Sequence, residues 1–134
     1  MRVGLYQCHP LPLDVAGNLQ RLKTIASQTK NVDLLVLPEM FLTGYNIGAQ
    51  AVAELAQAHD GDAAQQIAEL AKATGMAIAY GYPERDAHGH LYNSVQVIDS
   101  HGKSLCNYRK THLFGELDRS MFSAGPDAFP VFEL

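Results

Sequence analysis

The run Leu34-Leu35-Val36-Leu37, closed by Pro38 and followed at once by Glu39, constrains this chain more than any other stretch. Four unbroken apolar residues are the mark of a parallel strand buried on both faces. Proline ends such a strand because it has no N–H to give to a central ladder. A carboxylate therefore stands at the C-terminal end of a buried strand, where open α/β sheets place ligands and chemistry. Ionised carboxylates are rarely buried without a partner, so Glu39 calls for a cation or a proton donor beside it. The plainer reading is a carboxylate that caps the following turn or pairs with a surface lysine.

The rest of the chain supplies the layers for that strand. Val3 to Cys8 reads as a short strand stopped by Pro10 and Pro12. Asp14 is the N-cap of a helix running to about Thr29, with Val15, Leu19, Leu22 and Ala26 on one stripe and Asn31 closing it. Val32 to Leu37 follows, giving strand, helix, strand and hence parallel neighbours. Ala49 to Ala58 is a weak helix, Asp60-Gly61-Asp62 a break, and Ala63 to Thr74 a stronger helix with Gly75 at its C-cap. Met76 to Tyr82 is a third strand that Pro83 closes, and Gly81 within it signals a bulge or a close backbone approach. Asp86 to His90 is a turn. Leu91 to Ile98 and Ser104 to Tyr108 then form a hairpin across Asp99-Ser100-His101-Gly102. A parallel start continued by an antiparallel meander predicts an α/β layered sheet. Arg109 to Arg119 reads as a polar loop beyond a strand end, Ser123 to Pro130 as turns, and Val131 to Leu134 as the beginning of another apolar run.

Composition narrows the function. A length of 134 residues suits one domain, and a net charge of −4 lacks the basic stripe of a nucleic-acid binder. No stretch approaches the roughly 18 apolar residues of a membrane span. Met1-Arg2 leads straight into a strand pattern, so no secretory signal is expected, and Cys8 and Cys106 are expected to be free thiols in a reducing cytoplasm. His88 and His90 lie in a turn with no third ligand at recognisable spacing and read as solvated, not as a metal site.

Glu39 and Lys110 both follow strands. A carboxylate beside an ammonium suits acyl transfer, since one takes a proton from a nucleophile while the other stabilises an oxyanion. Arg109 and Lys110 are successive and point to opposite faces, so only one of them can meet Glu39. A surface ion pair contributing little is the alternative.

The segments LPEMFLTGY (37–45), YGYPE (80–84), YNSVQVID (92–99), YRKTHLFG (108–115) and FSAG (122–125), in this order and spacing, resemble the nitrilase, or carbon–nitrogen hydrolase, superfamily, and its amidase-type members in particular. The resemblance covers the whole chain. It implies an αββα sandwich and a Glu–Lys–Cys catalytic set, with Glu39 as general base and Lys110 stabilising the tetrahedral intermediate of a thioester mechanism. It implies no metal or organic cofactor, a small-molecule amide or nitrile-type substrate, and a homodimer for the full enzyme. Many members carry a second glutamate after the lysine to position the substrate. Counting back from Gly125, that position falls on Asp118, while Glu116 is the nearest true glutamate, and both stand as candidates. Tyr45 and Phe114 are expected to wall the pocket or the core.

Neither Cys8 nor Cys106 matches the family's nucleophile, which lies a few tens of residues after the lysine. The chain is thus expected to be the N-terminal portion of an αββα domain, inactive alone and prone to associate through its uncovered sheet. A hydrolase half should regain thiol-dependent turnover when joined to a C-terminal half bearing the cysteine. A non-catalytic module binding a small molecule or a subunit, the competing hypothesis, would not.

Overall fold

A computed structural model describes residues 1–134. One mixed sheet carries five strands in sequence order: β1 (Val3–Leu5), β2 (Leu34–Val36), β3 (Ala77–Arg85), β4 (Leu91–Ile98) and β5 (Ser104–Arg109). The first three are parallel and the last three antiparallel, as the sequence pattern predicts. The helices are α1 (Val15–Gln28), α2 (Ala49–Leu55), α3 (Asp62–Thr74) and a short α4 (Gly115–Arg119). No helix is long and apolar enough to cross a membrane.

The apolar stripe of α1 buries Leu19, Leu22 and Ala26, and α3 buries Ile67 and Ala71. Both cover the sheet face that carries Leu35, Ile78, Tyr80, Tyr82 and Ile98. Each fully buried leucine or isoleucine here stabilises the fold by about 1.5–3 kcal/mol. Asp14 caps α1 by accepting the Gly17 N–H at 2.8 Å, and Gly75 ends α3 in the left-handed region at φ 64°. The register puts Val3, Leu5, Leu34, Val36, Val95, Cys106 and Tyr108 on the opposite face, half-buried or exposed, with no helix over them. One helical layer and one sheet layer of the expected αββα sandwich are therefore present.

Five expectations need correction. Pro83 does not close β3, which continues to Arg85 in register with Leu91. The carbonyl of Pro83 and the N–H of Arg85 both face Gln57, beyond the end of β2, so the donor that proline lacks would point where no strand lies. The same Gln57 bridge pulls the chain out of helix, and α2 ends at Leu55. The first strand stops at Leu5 because β2 ends at Val36, leaving only Tyr6 N–H to reach Val36 O at 2.9 Å. The loop after Lys110 is not wholly irregular, since α4 forms within it, and Val131–Leu134 is exposed and pairs with no strand.

Candidate active site

Glu39 opens a turn over residues 39–43 at the C-terminal end of β2. Met40 next to it is fully buried and sits at φ 52°, a strained value for a residue with a β-carbon. Several contacts hold this turn. The carbonyl of Met40 accepts the N–H groups of Thr43 and Gly44, and Leu42 N–H reaches Gly81 O at 3.2 Å. The buried side chain of Asn18 bonds the carbonyls of Leu11 and Leu42. Gly81 lies directly beneath, which is the close approach its place in a strand suggests; any β-carbon there would meet Met40 N and come within 2.8 Å of Pro38 O.

Lys110 follows β5 on the face opposite α1 and α3. Its backbone is held on both sides, with its N–H given to Asn93 O at 2.8 Å and its carbonyl accepting Gly125 N–H at 2.9 Å. The ammonium lies 2.8 Å from Glu39 Oε1 and 2.8 Å from Asp118 Oδ2. Lys110 is thus the residue that reaches Glu39, and Arg109 turns to the other face.

Asp118 is fully buried and fully partnered. Its Oδ2 also accepts Phe114 N–H at 2.8 Å, and its Oδ1 accepts the Tyr45 hydroxyl at 2.7 Å. Burial pushes its carboxyl pKa up, but the Lys110 ammonium and these donors together hold it below the usual carboxylate range. Burial likewise disfavours the charged Lys110, and the two carboxylates outweigh it, raising the pKa above the ordinary lysine value. Tyr45 is pushed up to about 12 by burial and by its bond to Asp118. Lys110 is therefore a fixed cation between two carboxylates, with its Nζ 5.8 Å from the centre of the Tyr45 ring.

Of the two candidates for a second carboxylate, Asp118 is the one at Lys110. Glu116 is 94% exposed and meets only Arg119, at 3.3 Å. The acidic first turn of α4 explains the difference: capped at Phe114, the helix carries Asp118 inward and Glu116 outward. Phe114 contributes its backbone N–H to the cluster while its ring is exposed. Cys106 faces Val97 within the sheet, and burial pushes its thiol up. At about 3.3 Å per residue it sits on the order of 13 Å along β5 from Lys110. Cys8 packs against the main core, and both thiols are free.

Sequence reasoning missed two participants. Asn93, 3% exposed, donates its Nδ2 to Glu39 Oε1 at 2.7 Å. Glu84, the last residue of the YGYPE segment, is a buried acceptor for side chains: Arg109 grips both its oxygens, Ser94 bonds it at 2.6 Å and Asn107 at 2.9 Å. The Arg109 guanidinium also lies 4.1 Å from the centre of the Tyr92 ring. Strand alternation across the register would have placed Glu84, Ser94 and Arg109 on one face, once the strand through Pro83 was known.

The profile of the carbon-nitrogen hydrolase family matches residues 2–134. A Pseudomonas protegens protein named "Hydrolase in pqqF 5'region" is 66% identical over 134 residues, covering 100% of this chain and 47% of its own length. An (R)-stereoselective amidase from Pseudomonas sp. is 36% identical over 93% of the chain and 44% of its own length. Among solved structures, an amidase from Nesterenkonia sp. superposes with a TM-score of 0.88 at 28% identity, covering 100% of this chain and 51% of that one. A double mutant of a Nesterenkonia sp. AN1 amidase in complex with acrylamide matches with the same TM-score at 27% identity, over 100% of this chain and 52% of that one. The chain spans about half the length of these four relatives.

Proposed function

The chain belongs to the carbon–nitrogen hydrolase family, and on that premise we propose that it carries the base and the oxyanion-stabilising half of an amidase site, with Glu39 and Lys110 in those roles. The observation that carries the reading is the ammonium of Lys110 held 2.8 Å from both Glu39 and Asp118. A lysine fixed as a cation cannot act as the base, which leaves Glu39, 48% exposed at the side chain, as the group able to take a proton.

The nucleophile is a cysteine thiol supplied by residues beyond these 134. Glu39 accepts the thiol proton and the thiolate attacks the amide carbonyl carbon. The carbonyl electron pair moves to oxygen, and Lys110 stabilises the oxyanion. Collapse expels ammonia or an amine, which takes the proton from Glu39 and leaves a thioester. Glu39 then takes a proton from water, whose oxygen attacks the thioester carbonyl. The carbon–sulfur bond breaks, the thiolate recovers the proton from Glu39, and the acyl group leaves as the carboxylic acid. Asp118 keeps Lys110 charged and aimed. Small linear amides or nitrile-related compounds are the substrate class, in keeping with the acrylamide complex of the Nesterenkonia enzyme. The 134 residues are one portion of the αββα domain and inactive alone; the complete enzyme is a cytoplasmic homodimer.

The test joins residues 1–134 to a C-terminal half bearing the cysteine and measures ammonia release from simple amides. Thiol-dependent turnover that Glu39→Gln or Lys110→Ala abolishes is the expected result. Ammonia release by purified 1–134 alone, or no turnover in any joined protein, would count against it.

A further inference from the structure

We infer that Asn93 is the positioning residue that gives the two oxygens of Glu39 their separate roles, pinning Oε1 so that Oε2 is the atom that takes the proton. The inference rests on the catalytic pair proposed above. Asn93 Nδ2 and Lys110 Nζ both donate to Oε1, at 2.7 and 2.8 Å, and Oε2 accepts no hydrogen bond from the protein. An ionised carboxylate only accepts, so the amide must present its NH2 group to it.

The same residue holds the other partner by its backbone, since Asn93 O accepts Lys110 N–H at 2.8 Å. One buried position on β4 therefore ties the Glu39 side chain to the Lys110 main chain, residues 71 apart in sequence. Without it, the terminal torsion of Glu39 is broad and two-fold, and its two oxygens exchange freely against the ammonium. Two donors on one oxygen fix the carboxylate plane and leave the other oxygen unoccupied and open to an incoming proton. A neutral amide suits this place because it donates without adding charge beside a carboxylate and an ammonium.

The experiment compares kcat and KM for Asn93→Asp, Asn93→Ala, Glu39→Gln and Lys110→Ala in the joined, cysteine-bearing protein, with a melting curve for each. Asn93→Asp keeps the shape but replaces the donor with an anion 2.7 Å from Glu39. The expected order of kcat is Asn above Ala above Asp, with Asp down at least about tenfold, part of the roughly 10²–10⁴ that a general base supplies, and KM within about threefold. A residue that merely fills space would give the reverse, with Asp near wild type and Ala the worst; that order, or wild-type kcat in Asn93→Asp, overturns the inference while leaving the catalytic pair standing. Turnover surviving Glu39→Gln would overturn the pair and this inference together. If Asn93→Asp fails to fold, Asn93→Thr decides, being similar in size but too short to reach Oε1: it should lose kcat as Ala does, and retained kcat overturns the inference.

Discussion

Gly81 lies so close beneath Glu39 that a β-carbon on it would stand 2.9 Å from the Glu39 carbonyl carbon. The turn bearing Glu39 rests on β3 main chain, and nothing flexible there can yield. Gly81→Ala must push the turn outward, lengthening Leu42 N–H to Gly81 O and moving Glu39 away from Lys110. Overpacking of this kind costs about 1–3 kcal/mol. The expected outcome is that loss in chemical denaturation of the 134-residue protein, together with loss of turnover in the joined enzyme. Wild-type behaviour in both would mean that the turn is free to move.

Arg109 and Glu84 test a different dependence. Glu84 is 1% exposed and the Arg109 side chain 29% exposed, so their contact is largely shielded from water. Removing one partner of a buried pair leaves an uncompensated charge, at about 3–5 kcal/mol. Ser94 and Asn107 still bond Glu84, which points to the lower end, about 3 kcal/mol, for Arg109→Ala. Adding Glu84→Gln should recover part of the loss by removing the stranded charge. A double variant no more stable than Arg109→Ala would refute that account.

Acid should weaken the fold through Asp118 and Glu84. Burial alone would raise both carboxyls. Lys110, Phe114 N–H and Tyr45 lower Asp118, while Arg109, Ser94 and Asn107 lower Glu84. With the folded-state pKa below the unfolded value, the unfolded chain binds protons first as pH falls. The stability from these groups is complete above the ordinary carboxylate pKa of about 4 and is lost as pH drops through the lower folded values. Denaturation midpoints measured from pH 6 to pH 2 should therefore fall in acid, and Asp118→Asn should flatten part of that slope. An unchanged slope in Asp118→Asn would show that its contacts do not depend on charge.

Much of this was legible in the sequence because it rests on local rules. Hydrophobic period, Pro38 and the Asp99–Gly102 turn set the order and direction of the strands, and Gly81 marked its close approach. What escaped reading depended on partners distant in sequence. Pro83 continues a strand because of where β2 ends and where Gln57 sits, facts of tertiary geometry. Asp118 separates from Glu116 only once α4 has formed and turned one inward. Asn93 looks like any strand asparagine until β4 carries it between the two chain segments it joins.

The sheet face opposite α1 and α3 leads to the last prediction. Val3 is 48% exposed and Leu5 78%, with Leu34, Val36, Val95 and Tyr108 half-buried beside them on the same face. Val131 at 97% and Phe129 at 69% add exposed apolar surface in the final segment. Contiguous apolar area of this kind drives association, and β1, with one side of its ladder open, offers an edge as well. Residues 1–134 alone should therefore form oligomers whose mass rises with concentration in sedimentation, and should bind a hydrophobic dye. Replacing Leu5 with lysine places a charge on both the open face and the edge strand, and should shift the distribution toward monomer. Covering the face with a C-terminal half should do the same and remove the dye signal. A monomer that unfolds cooperatively at every concentration would show that the uncovered face is tolerated in water.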